Sequence, residues 1–464
     1  MNLSPRLLVG VFSCIPIGTA LLALVLGLAA VPAAGDPQAA RGFDPLRDSL
    51  ASDDAQAIYS ADLTDPWNRI FSLLFTRRIR SRLLAENATR GQMFDPSLAL
   101  SDRRVTRIES GDRAIDPLYP SWTWLGSSAF DMSPDSRWQI LIEPRYRELV
   151  TALRTVPAST AKRSLLARAL MQADLWAVYD MLHMVRSIRP GSRGSSADAV
   201  LRTQRIEELM PLLAGAIRAL ALTRAEIDAL PDNYAAGARA GDLPPLFARG
   251  SGWMEVRSLG ERMHERAVMN RRVARVFVKP AKRLRNEAAF LAGLSEGQGQ
   301  SDSVGAAALV IQMLLISAGG SVVPSPITYE VQVRTAASAP GDAPARGHVF
   351  QYELSRRRLL SAPQGGGLVA LDELAPAYLP IAGNDLSFAT PSRMDSDPTL
   401  VALRDRCVAC HGQGLGKLNT FAMIAKPRVE RLNAGQPSHA RDVAARKMTR
   451  EDFRSLRLAL AVGR

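Results

Sequence analysis

Cysteine is nearly absent from this 464-residue chain: there are three, Cys14, Cys407 and Cys410. That excludes the disulfide framework on which small secreted domains depend. Aromatic residues are scarce, at 6%, and histidine occurs five times. Lysine is confined to Lys162, Lys279, Lys282, Lys417, Lys426 and Lys447, so arginine carries most of the positive charge. There is no phosphate-binding glycine loop, no H-E-x-x-H metal signature, no serine nucleophile elbow and no internal repeat. What is present suffices for folded domains: 47% of residues are hydrophobic and 22% charged, which excludes a disordered chain. The net charge of +13 suits an acidic redox partner or an anionic membrane face.

The amino terminus gives the first positive signal. Arg6 precedes an uncharged apolar run from Leu7 to Ala30, followed by Val-Pro-Ala-Ala-Gly at 31–35. This is the pattern of a signal peptide cleaved near Ala33 or Ala34, or of an uncleaved single-span anchor. Either way the following residues are expected outside the cytoplasm, in the periplasm, because the positive end stays inside. An exported chain is a poor match to nucleic acid. Cys14 falls within the run and lacks a lipobox, so the mature chain would keep only Cys407 and Cys410.

Beyond residues 1–34 the sequence divides by pattern. Residues 35–135 read as an irregular region containing Trp122 and Trp124, after an expected helix at 66–85 with a basic patch at Arg77, Arg78, Arg80 and Arg82. Residues 136–300 read as a helical domain. Its best helix spans Thr160–Arg186, with Leu166, Leu170, Ala173, Ala177, Met181 and Met184 at three- and four-residue steps. A second helix from Thr203 is expected to break or kink at Pro211. A third starts at Thr223 with Glu226 as its capping-box partner, and a basic fourth covers about 254–278. Residues 301–370 read as a small antiparallel sheet of three strands, Ala308–Ser317, Ile327–Arg334 and His348–Leu354. Residues 371–464 form a C-terminal module. The expected fold class is mainly α, and α+β overall.

That module holds the motif with the clearest chemistry. Residues 407–411 read Cys-Val-Ala-Cys-His. Two thiols separated by two residues turn toward one porphyrin edge, where each can add to a haem vinyl group. The adjoining His411 then supplies an axial imidazole. A redox dithiol would need a thioredoxin-like strand–helix setting. A structural zinc site would need four ligands rather than the local three. The flanks fit a small haem domain: Asp397-Pro398 reads as the start of a helix carrying Leu400, Leu403 and Cys407 on one face. Thr449 reads as the cap of a closing helix with Phe453, Leu456 and Leu460 as its apolar stripe.

With C-V-A-C-H, the glycines at 412, 414 and 416, and the closing helix, residues 398–464 resemble a small class I cytochrome c domain. The resemblance implies haem c bound covalently by Cys407 and Cys410, iron held by His411, and single-electron transfer to a redox partner protein. It also implies a small α-helical cytochrome c-like fold at the C terminus. That family usually places a methionine at the sixth iron position. Met448 is the candidate here, although it lacks the usual neighbouring proline; Met423 and His439 are further candidates. Two strong ligands would make an electron carrier, whereas an open site would allow a peroxidase-type haem enzyme or a haem-based sensor. Bacterial dihaem peroxidases carry two such motifs, and this chain has one.

Overall fold

A computed structural model describes residues 58–62, 64–78, 108–110, 113–115, 122–124, 140–141, 143–187, 196–258, 271–296, 304–335, 349–371, 376–378, 400–402, 429–431 and 438–461. These lie in one unit, Pro45–Arg464. The helices are α1 (Pro66–Phe75), α2 (Arg145–Ser159), α3 (Leu165–Ser187), α4 (Ser196–Leu220), α5 (Arg224–Asp228) and α6 (Asn233–Ala240), then α7 (Glu287–Glu296), α8 (Arg356–Ser361), α9 (Ser438–Thr449) and α10 (Glu451–Ala461). The short strands β1 (Thr76–Arg78), β2 (Ile108–Ser110), β3 (Arg113–Ile115) and β4 (Trp122–Trp124) make a four-stranded sheet. The principal sheet has seven strands in the order β10-β9-β8-β7-β6-β5-β13. Its members are β5 (Met254–Ser258), β6 (Arg272–Pro280), β7 (Val304–Ile316), β8 (Val322–Thr335), β9 (Val349–Leu354), β10 (Leu368–Leu371) and β13 (Val429–Arg431).

All pairings in the principal sheet are antiparallel, with Phe277, Ala308, Val333 and Phe350 in one cross-strand row. Strand alternation sends Phe277, Val310 and Val331 to one face, where Tyr234 of α6 and the following Leu243 and Leu246 cover them. Val276 and Val278 point the other way, against Phe290 and Leu294 of α7. The far end of β7 meets the helices: Leu314 and Ile316 join a core shared with α1, α2, α3 and α4. Gln172 of α3 ties the two layers together. Its amide donates to the Ile316 carbonyl at 2.8 Å and accepts from the Ile316 amide at 2.9 Å.

The mainly α reading with a small sheet is corrected. The three expected strands match β7, β8 and β9, but residues 254–258 and 272–280, expected as a basic helix, are strands β5 and β6. Val256, Val273, Val276 and Val278 are β-branched, and such side chains favour a pleated sheet over a helix. The closing helix also has a different setting. Phe453, Leu456 and Leu460 of α10, with Val443 and Ala444 of α9, lie in the same core as Trp176 and Leu213. These helices are therefore part of the α/β body and not the wall of a separate small helical domain. A stripe of three apolar residues shows that a helix face is buried but not against what.

Smaller corrections have local causes. The expected 66–85 helix stops at Phe75, where Thr76–Arg78 pairs with Trp122–Trp124. Helix α4 runs unbroken through Pro211, because burial of Leu209, Met210, Leu213 and Ile217 offsets the missing amide bond. The Thr223 capping box forms as expected: the Thr223 hydroxyl accepts from the Glu226 amide at 3.2 Å, and the Glu226 carboxylate accepts from the Thr223 amide at 2.7 Å. Thr449, expected to cap the last helix, instead ends α9 and donates its hydroxyl back to the Arg446 carbonyl at 2.8 Å.

Candidate functional site

Cys407, Cys410 and His411 lie outside the described residues, as do Met423, His264 and His348. The chain on either side is held by backbone ladders. Before the motif, β12 (Leu400–Ala402) pairs antiparallel with β11 (Pro376–Tyr378), Leu400 opposite Tyr378. Leu400–Ala402 is thus extended, where a helix start was expected. Its backbone groups find partners across the ladder. After the motif, β13 pairs with β5 at the edge of the principal sheet, Glu430 opposite Arg257. The Arg431 guanidinium reaches the Glu287 carboxylate of α7 at 2.5 Å. The motif therefore belongs to the stretch between two paired strands.

Of the candidate axial ligands on α9, Met448 is half-buried with its side chain against the main core. His439 is buried, its Nε2 3.2 Å from the Ala274 carbonyl oxygen of β6. His183 is half-buried on α3.

The described residues hold a second polar feature: two buried charge centres on α3. Asp180 Oδ2 accepts from Lys447 Nζ at 2.7 Å and from an Arg271 guanidinium nitrogen at 3.1 Å. Lys447 also donates to Asp452 Oδ2 at 2.9 Å, and its ammonium lies 5.5 Å from the centre of the Trp176 ring. Its side chain is fully buried, at 0% exposure. Lys447 is the residue beside Met448 that sequence reading passed over. Two carboxylates and an aromatic face offset the cost of burying its charge.

One turn and a half earlier on α3, Asp174 Oδ1 accepts from Arg356 of α8 at 2.6 Å, with side-chain exposures of 0% and 4%. The Tyr59 hydroxyl donates to the other carboxylate oxygen at 3.0 Å, and Arg356 lies over the Phe71 ring. Nearby Tyr329 is half-buried. Burial pushes its phenol up first and Asp174 adds to this, while Arg356, Arg272 and Arg271 pull the other way. Tyr329 stays a neutral phenol under Arg272, whose guanidinium carbon is 5.2 Å from its ring.

Each buried acid on α3 thus has a cation, and each cation comes from a segment distant in sequence. Among the described residues no three His, Cys, Asp or Glu side chains gather as a metal site. No described helix is long and apolar enough to cross a membrane. The two centres act as ionic fasteners that lock α8, β6, α9 and α10 onto the central helix. A sequence signal for them existed: Gln172, Asp174 and Asp180 interrupt an apolar stretch from Leu165 to Met184. The helix buries residues all round, so those side chains had no solvent to face.

Asp452 gives the pH response of this fastening. Burial raises its carboxyl, but Lys447, Arg450 and the Phe453 amide outweigh that and hold it below its usual 3.8. A lowered carboxylate adds stability that is complete above the unfolded value and is lost as pH falls through the folded one. Wild type and Asp452→Asn should therefore differ in unfolding free energy above about pH 4 and converge at lower pH. Denaturant titrations at stepped pH check this; a gap that persists unchanged in strong acid contradicts it.

Neither a family model, a curated protein nor a solved structure matches this chain.

Proposed function

We propose that this chain is an exported monohaem c-type cytochrome that passes single electrons to a redox partner. The observation that carries the reading is Cys407-Val408-Ala409-Cys410-His411. The leader at 1–34 supports it, because haem is joined to such thiols outside the cytoplasm. The donor set fits the group: two thiols suited to thioether formation and one imidazole suited to iron. With cysteine present elsewhere only at Cys14, the pair has no competing thiol in a cleaved chain. Haem would supply a one-electron couple. The chain's own contribution is to hold both ends of the motif segment on β12 and β13 and to fasten α9 and α10 to the body.

The test is co-expression with a c-type maturation system. Wild type should keep its colour through denaturation and organic extraction. Cys407→Ser with Cys410→Ser should lose all covalent haem, and His411→Ala should alter the spectrum of whatever haem remains attached. Haem retained by the double variant would refute the assignment.

Met448 remains the candidate for the sixth iron position. Met448→Leu preserves volume, so the fold should survive. The expected result is loss of the weak far-red band of methionine-ligated ferric iron, together with a lower potential and unchanged haem content. An unchanged band and potential would remove Met448 from the iron.

A further inference from the structure

The outer side of the C-terminal helix pair combines an exposed bulky apolar side chain with several exposed arginines. Leu458 of α10 is 71% exposed, the largest value for any bulky apolar side chain described. Arg454 and Arg457 stand four and one residues before it, also exposed, and helical spacing puts all three on one side of α10. Arg441 and Arg446 add two exposed positions on α9. Among the described residues none of these four guanidinium groups has a hydrogen-bond or ion-pair partner, in contrast to Arg450, which bonds Asp452 at 3.3 Å. The exposed acids of the pair are Asp442 and Glu451, so positive charge prevails.

We infer that the Arg454–Arg457–Leu458 face of α10, with Arg441 and Arg446 of α9, docks an acidic protein. The chemistry favours carboxylates: an arginine fork donates two parallel hydrogen bonds to a carboxylate, and arginine is among the residues enriched at the energetic centres of protein interfaces. A lipid surface fits less well. A helix that lies on a membrane sinks its apolar stripe into the acyl boundary. The stripe of α10, Phe453, Leu456 and Leu460, is already buried in the core. What faces outward is charge with one leucine, mounted on a helix pair that Lys447 pins to α3. As a surface for a redox partner the inference rests on the haem reading; as a binding face for an acidic protein it does not.

The test uses the full haem-loaded chain with poly-L-glutamate as the acidic probe and phosphatidylglycerol vesicles as the lipid probe. Arg454→Glu with Arg457→Glu should weaken poly-glutamate binding about tenfold at low salt and flatten its salt dependence. The same charge change at the exposed Arg239 and Arg249 serves as control and should weaken it by under about twofold. Equal losses from both pairs would overturn the inference by showing that net charge alone binds. Vesicle binding that exceeds poly-glutamate binding and is lost only in the Arg454 and Arg457 variant would overturn it in favour of a membrane. Haem content, read from the reduced spectrum of every variant, separates the two readings. A chain that takes up no covalent haem after maturation, yet shows the tenfold difference, defeats the cytochrome assignment and leaves the docking face standing.

Discussion

Lys447→Met should destabilise the fold by about 3 kcal/mol, a large share of the stability of an ordinary domain. The side chain is fully buried, so methionine fills nearly the same space and the loss is electrostatic. Asp180 keeps Arg271 at 3.1 Å and Asp452 keeps Arg450 at 3.3 Å, which places the effect toward the lower end for a broken buried pair. The damage should concentrate where Lys447 acts, so α9 and α10 should lose hydrogen-exchange protection before α3 and the sheet do. A Lys447→Met, Asp180→Asn cycle should return a coupling energy above about 1 kcal/mol. A single-variant loss below about 1 kcal/mol, with uniform protection, would show that the ammonium is not a fastener.

Asp174→Ala should cost about 3 kcal/mol, because it removes the carboxylate that pairs with the buried Arg356 guanidinium and accepts from Tyr59. Exposure decides this magnitude. The pair Arg224–Asp228 has comparable geometry, at 2.9 Å, but side-chain exposures of 53% and 55%. Asp228→Ala should therefore stay within about 0.5 kcal/mol of wild type. Replacing both buried partners, Asp174→Leu with Arg356→Met, should recover most of the loss, since an apolar pair needs no compensation. Chemical denaturation of the three variants and wild type gives the comparison. Similar small losses for Asp174 and Asp228 would mean that water reaches the buried pair.

The contrast between motif and scaffold explains how far the sequence could be read. The C-V-A-C-H spacing is legible because the covalent chemistry it implies is local, imposed by five consecutive residues. The same holds for the Thr223 capping box, which closes within one turn. Strands β7, β8 and β9 were legible from turn residues and β-branched alternation, and α3 from its apolar steps. Long-range partners were not. Lys447 meets Asp180 across 267 positions, and Arg356 meets Asp174 across 182. No periodicity along one segment encodes such a meeting. Strands β5 and β6 were misread because Arg272 and Arg275, three residues apart, imitate the step of a basic helix. The Phe453, Leu456 and Leu460 stripe was legible as a buried face, yet the core it joins is built from helices more than two hundred residues earlier.

The cytochrome reading stands or falls on a covalent bond between protein and porphyrin. The direct measurement is the intact mass of the denatured chain after maturation in an exporting host, with its tryptic peptides sequenced. The expected mass exceeds that of the mature polypeptide by one haem, and the added mass maps to the peptide that contains Cys407 and Cys410. A polypeptide of unmodified mass, with both thiols free to alkylation, would contradict it.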